Sequence, residues 1–272
     1  MTRLIKLVAE IGINHNGDIG IAKKLIDIAS FAGFDYVKFQ KRTPELCVPD
    51  SQKDVIRSTP WGEMRYIDYK NRIEFGGVEY EEIAEYCIRK GIGWFASVWD
   101  IEAAKFMREF TDMVKIPSAK ITDMELIAHC RNNFNHVQIS TGMSTEDEVY
   151  SAVNEAGLPD VIYHTNSSYP AKVNELNLEY IMHLKSRYAT EIGYSGHEWG
   201  LATTYAVALM VDWIERHVTL DHDMWGSDQK ASIDPVGMIK LVRSIRDIEK
   251  AKGEAGPRVL YDSERAKREA LR

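Results

Sequence analysis

The stretch IGYSGHEWGLATTYAVALMVDWIERHVT, residues 192–219, decides the fold. It holds two short apolar runs, IGYSGH and WIERHVT, which carry His197 and His217 at or near their ends, with a helix-like segment between them at residues 200–210. Strand, helix and strand at this spacing make the βαβ unit of a parallel sheet. Outward from it the unit repeats. LVAEIG (7–12) carries Glu10, YVKFQ (36–40) Lys38 and Gln40, GWFAS (93–97) Ser97, MVKIPS (113–118) Lys115 and Ser118, HVQIST (136–141) Ser140, and VIYHTN (161–166) His164 and Asn166. Eight such runs in 272 residues predict one α/β domain spanning residues 1–272, a (β/α)8 or TIM barrel. In that fold the C-terminal strand ends form the active face, so polar strand endings point to chemistry. A doubly wound open sheet shows the same alternation but does not require eight units.

Between the runs, Asp18 in NHNGD is placed to cap a helix that runs to Gly33. Further helices are expected at residues 80–90, 101–110, 123–130, 145–155, 176–184, 200–210 and 235–250, with Thr122 and Ser144 as caps and acidic residues in the first turns. Residues 41–79, rich in Pro, Asp, Arg and aromatics, read as one long irregular insertion. Loops of that length inside a domain are usually functional, often lids, and this one leaves from the end of the second run. The tail YDSERAKREALR reads as a solvated terminal helix.

A formal charge of -7 and a pI of about 5.7 argue against nucleic-acid or membrane-surface partners, which reward a basic face. No run approaches the roughly 18 apolar residues of a membrane span. The N-terminus lacks a signal-peptide pattern, so a soluble cytoplasmic protein is expected. Cys47, Cys87 and Cys130 are far apart and read as reduced structural thiols.

Three constellations carry chemistry. His197 and His217 close neighbouring runs, and adjacent strands lie about 4.8 Å apart, so both imidazoles can reach one cation. With oxygens such as Glu10 and Asp228 nearby, an open Mn2+- or Mg2+-like site fits better than a closed zinc site. Each histidine alone reads more simply as a satisfied polar residue, and His129, His136, His183 and His222 as surface or turn positions. Lys38 and Lys115 sit among apolar strand residues, where an ammonium needs water or a partner. Two at one barrel mouth suggest an anionic substrate, with Ser118, Ser140, Ser195, Asn166 and Ser167 completing a phosphate cradle. A structural ion pair with Glu10 or another carboxylate, or a Schiff-base lysine, stays open. Finally, HVTLDHDMWGSDQKAS puts Asp223 and Asp228 on a loop beside His217.

AEIGINHNG, DYVKFQ, VKIPS, ISTGMS, SSYP, GYSGH, ERHVTLD and WGSDQKAS, in this order, resemble the sialic acid (N-acetylneuraminate) synthase family over residues 8–268. The resemblance implies a transferase that condenses phosphoenolpyruvate with an N-acylated hexosamine such as N-acetylmannosamine. It implies a divalent metal, Mn2+ first and Mg2+ or Co2+ as alternatives, on His197 and His217. Phosphoenolpyruvate falls to Lys38, Lys115, Ser118, Ser140, Ser167 and Ser195, and the sugar to Gln40, Tyr169 and Asp228, with Glu10 near the reacting centre. Ser97 and Asn166 complete the expected substrate shell, and Glu10, Lys38, Lys115 and Asp228 the catalytic set.

Two departures accompany the resemblance. Lys120 stands where the family carries a glutamate, and the chain ends before the C-terminal antifreeze-like domain of typical members. A homo-oligomer is expected. An octulosonate synthase acting on a pentose or pentose phosphate, with Lys120 or Arg42 as the extra basic group, is the alternative enzyme. An inactive sugar-binding barrel is the alternative outside enzymes.

Overall fold

The computed structural model describes residues 4–272. Eight parallel strands close a barrel: β1 (Lys6–Gly12), β2 (Tyr36–Lys41), β5 (Gly93–Val98), β6 (Met113–Ile116), β7 (His136–Ser140), β8 (Val161–Thr165), β9 (Glu191–Gly196) and β10 (Trp213–His217). Their order round the ring follows the chain, and β10 closes against β1. This is the expected (β/α)8 architecture. Helices α1 (Ile19–Ala32), α5 (Gly77–Lys90), α6 (Ile101–Arg108), α7 (Met124–Asn133), α8 (Glu146–Asn154), α9 (Tyr180–Arg187), α10 (Ala202–Val207) and α11 (Pro235–Ala251) follow the barrel strands. The terminal α12 (Asp262–Leu271) buries no residue, as a solvated helix should.

Strand periodicity sorts the side chains. In β1, Leu7, Ala9 and Ile11 join the large core between barrel and helices, whereas Val8 and Glu10 point to the interior. Helix α1 answers with Ala22, Leu25, Ile26 and Ala29, spaced for one helical face. Asp18 caps it, accepting from the Gly20 and Ile21 amides, and Gly33 ends it in the left-handed region at φ 92°.

The insertion is not irregular. It folds as α2 (Pro44–Cys47), α3 (Asp50–Lys53), an antiparallel hairpin of β3 (Ile56–Thr59) and β4 (Gly62–Arg65), and α4 (Tyr66–Ile73). Ile67, Tyr69 and Ile73 of α4 are buried, with Tyr69 and Ile73 packing beside Ile13, so tertiary contact orders a segment without periodicity. Two caps also move. Asp123 and Thr145, not Thr122 and Ser144, receive the helix amides, each one residue closer to the first turn. Helix α9 starts at Tyr180, four residues later than expected, because Asn177 stands in the left-handed region at φ 45° and interrupts any helix through it. Among the described residues no helix is long and apolar enough to cross a membrane.

Candidate active site

The barrel interior changes character along its strands. Val8, Phe95, Val161, Tyr163 and Trp213, with Tyr36 and Met113 against them, form an apolar floor. One step towards the strand ends the same faces become charged. The register sets Glu10 beside both Lys38 and His217, Ser97 beside Lys115, and Glu215 beside Ser195.

Four buried charges then interlock. Lys38 Nζ lies 2.7 Å from Glu10 Oε2 and 3.6 Å from Glu215 Oε1, and Lys115 Nζ is 2.9 Å from Glu215 Oε1. Lys38 also donates to Ser97 Oγ at 2.7 Å, and Ser195 donates to Glu215 Oε1 at 3.1 Å. Lys115 Nζ sits 3.9 Å over the Tyr163 ring of the floor. Both lysines are therefore ion-paired, as the structural reading allowed, and both still face the mouth.

Burial raises the Glu10 carboxyl to about 7, against the pull of Lys38 and with help from Glu215. Burial works against ionising Glu215 too, but Lys115 and Lys38 outweigh it and bring that carboxyl below its ordinary value. Lys38 is raised, since Glu10 and Glu215 overcome its desolvation, whereas burial lowers Lys115 to about 8 despite Glu215. With Glu10 protonated the cluster carries one net positive charge. That suits an anion.

The imidazoles stand beside this cluster, ring centroids 5.2 Å apart. His197 Nδ1 donates to the Asn166 carbonyl at 2.6 Å, leaving Nε2 as a lone pair that meets the Tyr169 hydroxyl at 3.2 Å. His217 Nδ1 is buried without a hydrogen bond and lies 3.9 Å from Asp228 Oδ2. Desolvation, reinforced by His217 for the one ring and by Lys38 for the other, brings both from 6.5 to about 3. Both are neutral bases. Among the described residues no group of three or more His, Cys, Asp or Glu side chains is gathered as a cation cage. Two nitrogens with open positions are what the mouth offers.

Two glycines make room. A Cβ on Gly142 would lie 2.2 Å from Ser167 Oγ and 2.8 Å from Ser118 Oγ, so only glycine lets those hydroxyls converge. Gly12, at φ +55°, lets Gln40 Nε2 reach Glu10 Oε1 at 3.0 Å.

Glu10, Lys38, Gln40, Ser97, Lys115, Ser118, Ser140, Ser167, Tyr169, Ser195, His197 and His217 line one cavity of about 140 Å³. Asp228 borders it through His217. Asn166 departs from expectation: its side chain is spent on its own loop, donating to the Glu175 carbonyl and accepting from the Ser168 amide, and only its carbonyl serves the site. Lys120 lies 3.8 Å from Asp123 Oδ2 and does not line the cavity. Arg42 pairs with Glu74 and stacks on Trp99 at 4.3 Å. His136 is partly buried against Trp213 rather than on the surface. Sequence reading missed Glu215, although strand alternation puts it on the same face as His217, two residues on.

The sequence profile of the NeuB family matches residues 25–256. The chain belongs to the NeuB family. It is 34% identical over 264 residues to the N-acetylneuraminate-9-phosphate synthase of Homo sapiens, covering 93% of this chain and 73% of that protein. It is 32% identical over 259 residues to the N,N'-diacetyllegionaminic acid synthase of Campylobacter jejuni, covering 91% and 77%. The N-acetylneuraminic acid synthetase of Leptospira borgpetersenii, a solved structure, superposes with a TM-score of 0.85 at 28% identity over 98% of this chain and 91% of that one. This NeuB family member is thus a transferase of the sialic acid synthase type, and the charged mouth described above is its candidate centre.

Proposed function

We propose that the chain condenses phosphoenolpyruvate with the open-chain aldehyde of an N-acylated hexosamine, yielding a nonulosonic acid and phosphate. The observation that carries this is one cavity holding two ammonium groups, converging serine hydroxyls and a pair of neutral imidazoles. Relatives named for sialic, legionaminic and pseudaminic acids support the product class.

Lys38 and Lys115 hold the carboxylate and phosphate charges, Ser118, Ser140 and Ser167 supply hydroxyl donors around them, and Ser195 turns its hydroxyl from Glu215 to the substrate. Such preorganised donors are commonly the largest catalytic term. His197 and His217 fit a divalent cation, Mn2+ first and Mg2+ or Co2+ as alternatives, because both rings are neutral and His197 is already oriented by the Asn166 carbonyl. When bound, such an ion supplies Lewis-acid polarisation of the aldehyde. Gln40 and Asp228 position the sugar. C3 of phosphoenolpyruvate bonds to the aldehyde carbon, and protonated Glu10 donates to the aldehyde oxygen. Water adds at C2 and returns one proton to Glu10; the C2–O bond to phosphate then breaks with its electron pair on phosphate, which takes the proton of the new C2 hydroxyl as C2 becomes the keto carbon. A carboxyl near 7 suits both directions of that transfer.

The test is to incubate the protein with phosphoenolpyruvate, Mn2+ and a panel of hexosamines and pentoses while measuring released phosphate. Release that needs an N-acylated hexosamine and stops with chelator is expected. Release with pentoses alone, or with no sugar at all, overturns the reading.

A further inference from the structure

Three neighbouring helices on the outside of the barrel leave their outer faces without a partner. α1 packs between α5 and α11, and the pairs Lys23–Glu82 and Lys90–Asp27 stitch it to α5. Phe31 near the end of α1 and Ile88 near the end of α5 are 80% and 79% exposed, the most exposed large apolar side chains among the described residues. Val78 of α5 and Val236 and Ile239 of α11 are exposed as well. Apolar side chains gathered on one side of a charged molecule mark a contact.

Charge divides this surface. The exposed residues of α5 between Val78 and Ile88 are Glu81 and Glu85, whereas those of α11 next after Ile239 are Lys240 and Arg243. Glu81, Lys240 and Arg243 have no ion-pair partner among the described residues, and Glu85 has only Arg89, one turn on at 3.6 Å. One flank is acidic and the other basic.

The two flanks also stand at one height. Near the mouth, the Tyr80 hydroxyl donates to the Gln40 carbonyl at 3.2 Å, and the Ile233 amide, two residues before α11, donates to the His217 carbonyl at 2.7 Å. At the other end the Ser30 hydroxyl donates to the Lys90 carbonyl and Arg246 to the Ile5 carbonyl, both at 2.8 Å. Val78 and Val236 are each the second residue of their helices, Glu85 and Arg243 each the ninth, and Glu81 is the fifth against Lys240 as the sixth. A two-fold axis beside α1, parallel to the barrel axis, therefore sets α5 of one copy along α11 of the other. Val78 then meets Val236, Glu81 and Glu85 face Lys240 and Arg243, and the two Phe31 side chains meet near the axis. Lys24, the exposed charge of α1, reaches the acidic flank of the other copy. An axis turned by a right angle would set α5 against α5 and oppose like charges.

We propose that a second copy of this chain docks on the α5–α1–α11 surface to form a two-fold dimer. Each copy offers one acidic and one basic helix, so both flanking contacts are attractive, as a self-complementary interface requires. The mouth stays open, and the dimer does not depend on the reaction performed there.

The test is sedimentation of the full chain and its variants at micromolar concentration, with circular dichroism to confirm folding. Wild type should sediment as a dimer and Phe31→Glu as a monomer. Glu81→Lys with Glu85→Lys, and Lys240→Glu with Arg243→Glu, should each weaken dimerisation by about ten-fold or more per reversed contact. Combining all four reversals in one chain should restore the dimer, and mixing the two doubly reversed chains should give a heterodimer. A monomeric wild type, or a dimer that survives Phe31→Glu and both double reversals, overturns the proposal. So does a folded four-reversal chain that stays monomeric. If that chain does not fold, the mixture decides: heterodimer formation supports the interface, and its absence overturns it.

Discussion

The floor and the mouth of the barrel are made by the same strands, a few residues apart, and they solve opposite problems. The floor, from Val8 to Trp213, fills the interior with apolar side chains. The mouth buries Glu10, Lys38, Lys115, Glu215, His197 and His217 in equal depth and leaves Glu215 Oε2 and His217 Nδ1 without hydrogen-bond partners. Unmatched polar atoms of this kind cost stability and are tolerated where a ligand will meet them. Folding is secured below, and chemistry is staged above.

Substitutions at the two levels should separate activity from stability. His217→Ala is expected to lower kcat/KM about a thousand-fold or more, the scale of several kcal/mol, with little change in Tm. Phe95→Ala in the floor should cost about 3–5 kcal/mol of stability, seen in denaturant unfolding. Comparable losses of stability in both variants would erase the division. A smaller effect comes from Lys115→Met, which should raise KM for phosphoenolpyruvate about 10- to 100-fold. Because burial holds Lys115 near 8, the wild-type KM should also climb as pH passes that value, and the variant should lose the climb. A KM unchanged by the substitution would remove Lys115 from the cradle.

Acid stability gives the smallest effect. His15, stacked on Phe75 at 4.0 Å beside the mouth, is lowered by burial from 6.5 to about 3. The unfolded chain therefore binds a proton there that the folded chain refuses. Stability is full above 6.5 and falls as pH drops towards 3, by about 1.4 kcal/mol at pH 5.5 for this one residue. His15→Phe should flatten the stability curve in that window, and an identical slope in both proteins would show that His15 does not contribute.

The barrel was legible because its signals are periodic. Eight apolar runs and their polar endings follow from alternation, and those endings placed Glu10, Lys38, Lys115, His197 and His217 at one mouth before any coordinates. Glu215 is less legible for a related reason: His217 marks the end of WIERHVT as a ligand type, while the residue two earlier shares its face without standing at the run's end. Residues 41–76 were illegible because their order comes from contact, with Tyr69 against Trp225 and Ile73 beside Ile13. Asn166 misled because an amide near a strand end can serve its own loop as readily as a ligand.

The Glu10 carboxyl, poised near neutrality inside a ring of paired charges, makes the mouth a proton exchanger. Were an anion bound there as proposed, it would tip that balance and draw hydrogen ions from the surrounding buffer. Occupancy of the pocket would then be tied to the acidity of the medium, and the heat of association would carry the buffer's own ionisation enthalpy within it.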